Sequence, residues 1–348
     1  MTADTAGGVW TYAIELARAL ERHGVEIVLA TMGGPPPAES LPPNVIASFH
    51  AGFKLEWMDD PWEDVRRAGE WLLELESRFG PSAIHLNGYA HAALPWRAPV
   101  LVVGHSCVLS WWEAVRGGTA PPVWDRYREA VVNGLAAARL VVAPTRAMLD
   151  ALRRHYGVRG GVVIPNAVER QVAAGSRELP GRFVLSAGRM WDEGKNVRAL
   201  MEVAPRLKWP VYVAGEGALP AEGVHALGRL TREEIALCYT RAPIYALPAL
   251  YEPFGLSVLE AAMHGCALVL GDIPSLRENW NGAAAFVPAR DTSALEGAIS
   301  RLIADARHRI SMQQAARERA RRFSPARMAR SYMAAYAGTQ SAEAGCAS

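Results

Sequence analysis

Lysine is almost absent from this 348-residue chain: Lys54, Lys195 and Lys208 are all it has, so 34 of its 37 basic side chains are arginine. Each lysine therefore draws notice as a candidate for a specific contact. Cysteine is as scarce. Cys107, Cys238, Cys266 and Cys346 lie far apart and form no Cys-x-x-Cys pair. That disfavours a disulfide framework and a cysteine-rich zinc site, and it fits a reducing compartment. No apolar run reaches the roughly 18 residues of a membrane span, and the first residues carry no signal-peptide pattern. A surplus of one charge is lacking too. The formal net charge is +2, which gives a nucleic-acid partner no support. Together these absences predict a cytoplasmic, soluble protein. Its length is that of two folding units.

What is present is alternation. Candidate strands fall at Val25–Thr31, Val45–Phe49, Ala83–Leu86, Val100–Gly104, Leu140–Ala143 and Val162–Ile164. A second series follows at Phe183–Ala187, Pro210–Ala214, Val224–Ala226, Ile244–Leu247, Ala267–Leu270 and Ala284–Val287. Helical periods lie between many of them, as in Gly8–His23, where Val9, Ala13, Leu16, Ala17 and Leu20 make one apolar stripe. Others are Trp62–Phe79, Thr145–Tyr156, Lys195–Leu207, Thr231–Thr240, Gly255–His264 and Thr292–Ala304. Strands apolar throughout, separated by helices, predict parallel sheets covered on both faces. The irregular stretch Glu169–Gly181 separates the two series. The expected division is residues 1–174, 175–322 and a closing segment 323–348, with a ligand cleft at the carboxyl ends of the strands.

The start is unusual for a doubly wound domain. Only Met1–Ala6 precedes the Gly7-Gly8 turn, too little for a full central strand. The expectation is that the true start lies upstream of Met1, the alternative being a first strand that is missing or shortened.

The strongest local pattern is Glu252-Pro253-Phe254-Gly255-Leu256-Ser257-Val258-Leu259-Glu260. Its turn opens a helix, and the free N–H groups of a first helical turn suit a phosphate-type anion. A carboxylate at Glu260 could accept from a vicinal diol. Taken alone, the same spacing also fits a helix start with solvated glutamates. Gly188-Arg189 and Gly194-Lys195-Asn196 follow a strand, placing a guanidinium and an ammonium where a diphosphate would sit. Ordinary loop charges would look the same. His105 ends another strand. No complete Gly-x-Gly-x-x-Gly occurs, which argues against a nicotinamide or flavin enzyme. With neither His-Glu-x-x-His nor Asp-x-Asp present, no metal is expected. Trp111-Trp112 and Trp124 could wall an acceptor site or simply pack in the core.

In combination, these residues resemble a family 4 glycosyltransferase with the GT-B fold, two Rossmann-like domains facing a cleft. The resemblance runs in order through Gly7-Gly8-Val9, His105, Val142-Ala143-Pro144-Thr145-Arg146, Ile164-Pro165-Asn166-Ala167-Val168, Ser186–Arg189, Gly194–Asn196, Glu252–Glu260 and Phe323-Ser324-Pro325. Ala167 stands where the family usually has glycine. In this family the last helix returns to the N-terminal domain.

The resemblance implies a retaining, metal-independent transfer of a hexosyl group, of glucose or mannose type, from a nucleoside-diphosphate sugar. The acceptor would be a hydroxyl on a sugar, a lipid-linked molecule or a small molecule, and no further cofactor is implied. Arg189, Lys195 and the N–H groups of Leu256, Ser257 and Val258 would meet the diphosphate. Glu260 would hold the ribose, and Glu252, Phe254 and Gly255 the sugar hydroxyls. The main chain at Arg229 and Leu230 would meet the base, His105 the sugar, and Gly8 the diphosphate or acceptor. Alternatives left open are a sugar-nucleotide epimerase or hydrolase of the same fold and a non-catalytic nucleotide-sugar-binding subunit. The Arg-rich stretch Arg307–Arg322 leaves peripheral membrane contact open without supporting it.

Overall fold

A computed structural model describes residues 1–348 except 6, 38–39, 177, 218–221 and 345–348, together with the side chains of 340–344. Cys346 thus lies outside the described residues. The chain forms two compact units. The first comprises Met1–Glu113, Gly117–Ala167 and Ser324–Ser348, and the second Val168–Phe323 with Ala114–Arg116. The break between Ala167 and Val168 precedes the 174/175 division expected from composition.

In the first unit the short β-branched runs become parallel strands. The first ladder joins β1 (Thr2–Asp4), β2 (Ile27–Met32) and β3 (Val45–Ala51). The second joins β4 (Ile84–Leu86), β5 (Val100–Val103), β6 (Leu140–Ala143) and β7 (Val162–Val163). Asn87 stitches the ladders side by side, since its backbone N–H donates to Thr2 Oγ1 at 3.0 Å and its Nδ2 to the Thr2 carbonyl at 2.6 Å. The order β3-β2-β1-β4-β5-β6-β7 is that of a doubly wound sheet, which binds ligands where strand order reverses. That point lies between β1 and β4. The first strand is therefore present but short: three residues, with Ala3 fully buried opposite Thr31.

Helix α1 (Gly8–Glu21) buries more than the expected stripe. Trp10, Tyr12 and Ile14 are buried along with Ala13, Leu16, Ala17 and Leu20. The physical reason is the closing helix, whose Met328, Ala329 and Tyr332 share one core with it. A helix covered on two sides loses the polar face that periodicity looks for. Between α1 and that closing helix run α2 (Trp62–Phe79), α3 (Val108–Arg116), α4 (Asp125–Ala137) and α5 (Arg146–Tyr156). Neither α3 nor α4 was expected, although Tyr127, Val131 and Leu135 of α4 are buried at helical spacing. Trp111 and Trp112 sit half-buried on α3.

The second unit holds a six-stranded parallel sheet. Its strands are β8 (Val184–Ala187), β9 (Val211–Ala214), β10 (Val224–Gly228), β11 (Ile244–Leu247), β12 (Ala267–Gly271) and β13 (Ala285–Val287). Their order, β10-β9-β8-β11-β12-β13, puts the reversal between β8 and β11. Strands β8, β11 and β12 are buried at every residue, as the continuous apolar runs require. Helices α6 (Val197–Val203), α7 (Arg232–Arg241), α8 (Leu256–His264), α9 (Pro274–Trp280), α10 (Thr292–Ala304) and α11 (Ala306–Ala320) complete this unit. The closing helix, α12 (Pro325–Ala344), belongs with the first unit.

On α11, Arg309 donates to the carbonyls of Leu302 and Ile303, and Arg319 to those of Asn279 and Asn281. Two arginines of the basic stretch thereby cap the ends of neighbouring helices. Among the described residues, no helix is long and apolar enough to cross a membrane.

Candidate active site

The reversal point of the second unit collects most of the residues singled out from the sequence. After β8 the chain turns through Gly188, Arg189 and Trp191 into a 3-10 turn, Glu193–Lys195. Asp192 builds this turn, its Oδ1 accepting from the Gly194 N–H at 2.9 Å while Oδ2 accepts from Arg189 at 2.9 Å. The Arg189 guanidinium also lies 5.1 Å from the ring centre of Trp191, which is exposed. Arg189 is thus steadied by an ion pair and by a cation–π contact.

Asn196 then enters a left-handed conformation, φ 53°, and its Nδ2 donates to the carbonyls of Pro248 at 2.9 Å and Ala289 at 2.7 Å. The Gly194 carbonyl accepts from Leu250 and Tyr251. These bonds sew the loop after β8 to the loop after β11.

The sewing sets Lys195 against Glu252. Lys195 Nζ lies 2.5 Å from Glu252 Oε2, with the side chains only 15% and 11% exposed. Glu252 Oε1 accepts from the N–H of Gly255 at 2.9 Å and, more weakly, of Phe254 at 3.3 Å. The carboxylate therefore shapes the turn that starts α8. Gly255 caps that helix with φ 90°, where a Cβ would come within 3.1 Å of Val258. Beyond it, the N–H groups of Leu256, Ser257 and Val258 have no partners within the helix. Two groups assigned to different parts of a ligand, Lys195 and Glu252, are here partners of one another.

Glu260 sits a turn further on. Its Oε2 accepts from the Tyr239 hydroxyl at 3.2 Å, and it lines an open recess with Arg170, Arg232 and His264. Ser257 Oγ lies 2.8 Å from the Tyr245 hydroxyl. Arg229 is exposed after edge strand β10 and donates to Glu216 at 3.1 Å, while Leu230 is half-buried against the core. Neither has a bond to the Lys195–Glu252 group among those described. The sequence pattern gives Trp191, Asp192 and Asn196 no role of their own, although Asn196 belongs to the Gly194-Lys195-Asn196 motif. The signal was there, since Asp and Asn are the residues that bond to nearby backbone in tight turns.

The first unit places its candidates at its own reversal point. Gly8 opens α1 behind Gly7, whose φ is 96°. His105 follows β5, and its Nε2 lies 2.8 Å from Asn87 Oδ1. Its ring packs edge-on to Tyr12, centroids 4.4 Å apart. Burial pulls the His105 pKa down to about 3 from its ordinary 6.5, and pulls His85 down as well.

These shifts carry a sign. The unfolded chain takes up protons as pH falls through about 6.5, whereas folded His105 does not until about 3. Stability is thus expected to fall with acidification across that window. Denaturant midpoints measured from about pH 7.5 to about pH 5 should decline. The decline should be shallower in His105→Gln, with His85 still contributing.

Two doubly wound sheets, one with a paired cation and carboxylate beside a helix N-terminus, define the Rossmann-like class of α/β protein. Comparison with known sequences narrows the class. Residues 6–172 match the model of Glycosyltransferase Family 4, and residues 181–305 that of Glycosyl transferases group 1. The chain belongs to the family 4 glycosyltransferases of the GT-B fold.

It is 26% identical to a D-inositol 3-phosphate glycosyltransferase from Streptomyces bingchenggensis, over 86% of this chain and 78% of that one. It is 25% identical to a phosphatidyl-myo-inositol mannosyltransferase from Mycolicibacterium smegmatis, over 92% and 87%. Among solved structures, a sucrose-phosphate synthase from Thermosynechococcus elongatus superposes with a TM-score of 0.80 at 19% identity, covering 95% of this chain and 93% of that one. HepE from Anabaena, in complex with UDP and glucose, does so at 0.73 and 14% identity, covering 97% and 100%.

Proposed function

We propose that this glycosyltransferase moves a hexosyl group, of glucose or mannose type, from a nucleoside-diphosphate sugar to a hydroxyl acceptor, with retention and without a metal. The observation that carries the reading is the Lys195–Glu252 pair held beside the open N-terminus of α8. A leaving diphosphate carries growing negative charge, and a site that lowers the barrier must already point donors at it. Arg189, Lys195 and the N–H groups of Leu256, Ser257 and Val258 would supply them. Glu252 would orient sugar hydroxyls and Glu260 would accept from the ribose. The main chain near Arg229 and Leu230 would meet the base. His105, neutral at ordinary pH, would bond to the sugar rather than exchange a proton with it.

In a same-face transfer the leaving phosphate oxygen can take the acceptor's proton as the new glycosidic bond forms, so no protein base is assigned. Support for the donor class comes from HepE, solved with UDP and glucose. Support for a hydroxylated acceptor comes from relatives named for inositol phosphate and phosphatidylinositol. For this chain the acceptor is kept at the class of sugar, lipid-linked or small-molecule hydroxyls.

Product-resolved mass spectrometry tests the reading, using uridine, guanosine and adenosine diphosphate sugars with a panel of hydroxyl acceptors. One nucleoside diphosphate and one glycosylated product are expected. Glu260→Ala should raise the donor KM about tenfold, the equivalent of about 1.4 kcal/mol for lost ribose bonds. Nucleoside diphosphate without glycosylated product would mean hydrolysis, and donor binding without release would mean a binding subunit.

A further inference from the structure

Asn87, which joins β1 to β4 through Thr2, has been given no part in the reaction, yet its side chain decides how His105 is presented. It follows β4 at the reversal point of the first unit. Asn87 Nδ2 lies 2.6 Å from the Thr2 carbonyl oxygen. A carbonyl oxygen only accepts, so the amide nitrogen must face Thr2, and Oδ1 must face the other way. There it meets His105 Nε2 at 2.8 Å. An amide oxygen also only accepts, so Nε2 must carry the proton. Burial keeps the imidazole neutral, and a neutral imidazole has a single N–H. Nδ1 is then left as a hydrogen-bond acceptor.

The surroundings hold the ring as well as its proton. Tyr12 packs against it at 65°, and the Tyr12 hydroxyl lies 3.3 Å from His85 Nε2. His85 Nδ1 is in turn 2.7 Å from the Tyr336 hydroxyl of α12. Asn87 is fixed by β1 through two separate bonds. A chain of contacts thus runs from a strand end and the closing helix to one imidazole.

We propose that Asn87 is a positioning residue for His105, fixing the Nε2–H tautomer so that Nδ1 accepts a hydrogen bond from a hydroxyl of the donor sugar. The last clause rests on the function proposed above. The tautomer does not, and it is measured without substrate.

The experiment is nitrogen-15 NMR of the full chain carrying labelled histidine, with the His105 signals assigned by their loss in His105→Gln. The wild-type ring should show Nε2 protonated and Nδ1 bare. Asn87→Leu should lose this single tautomer, and its kcat should fall on the order of tenfold with KM within about twofold. Asn87→Asp keeps an acceptor toward Nε2 and should keep the tautomer. A carboxylate there favours the imidazolium, which has no acceptor at Nδ1, so this variant should lose turnover as pH falls in a range where the wild type does not.

A wild-type ring protonated at Nδ1 overturns the proposal. So does a tautomer unchanged in Asn87→Leu, or one that changes with no effect on kcat. If Asn87→Leu does not fold, the wild-type spectrum and the Asn87→Asp pH profile decide. A wild type with the expected tautomer but no turnover on any donor would count against the proposed function instead.

Discussion

Lys195→Met is expected to lower kcat by roughly 100- to 1,000-fold, about 2.7–4 kcal/mol of transition-state stabilisation, as loss of one preorganised donor does elsewhere. It should also destabilise the second unit. Glu252 is 11% exposed and would be left without its ammonium partner. A buried polar group stripped of its partner costs about 1–3 kcal/mol, and more when charged. The two effects can be separated. In Lys195→Met/Glu252→Gln, residue 252 is neutral and can still accept from the Gly255 N–H, so stability should largely return. Turnover should not, because the charge facing the diphosphate is still missing. Denaturant unfolding and initial rates on the same preparations would check this. Recovery of turnover in the double variant would mean that Lys195 acts only by balancing Glu252, and its assignment to the diphosphate would fall.

Gly215→Ala is expected to act on the same site from outside it. Gly215 follows β9 with φ 140°, and a Cβ there would lie 1.8 Å from the carbonyl oxygen of Gly188. No rotamer relieves a clash with backbone, so one of the two loops must move. Gly188 directly precedes Arg189, and its N–H donates to the Ala214 carbonyl at 3.0 Å. Strain and overpacking together should cost about 3 kcal/mol, a fall in Tm of roughly 6–12 °C for a unit of this size. Protein that still folds should turn over more slowly, since the displaced loop carries Arg189. A calorimetric scan that leaves the second unit's transition in place would contradict this account.

Much of the fold was legible because it is written in short windows. Leu140–Ala143, Ile244–Leu247, Trp62–Phe79 and Thr292–Ala304 have the boundaries their periodicity predicts. Periodicity locates helix α1 but understates its buried face, and the short first strand agrees with the expected shortening. Helix α1 is covered on two sides. Strand β1 is three residues long, too short for any pattern. Helix α9 begins at Pro274, two residues separating it from the end of the apolar strand β12, where proline reads as a break yet is well placed in a first helical turn.

The site divides in the same way. Local sequence specifies which chemical groups are present and in what order: Arg189 and Lys195 after one strand, Glu252 to Glu260 across one helix start, His105 after another strand. Those are local facts, encoded by turn residues and capping glycines within about ten residues. Long-range packing is what brings Lys195 to Glu252, 57 positions away, and Asn87 to Thr2, 85 positions away. Such pairs depend on which strands become neighbours and on which loops two glycines allow to touch. Strand order is settled by packing the whole sheet at once, and no window of sequence contains it.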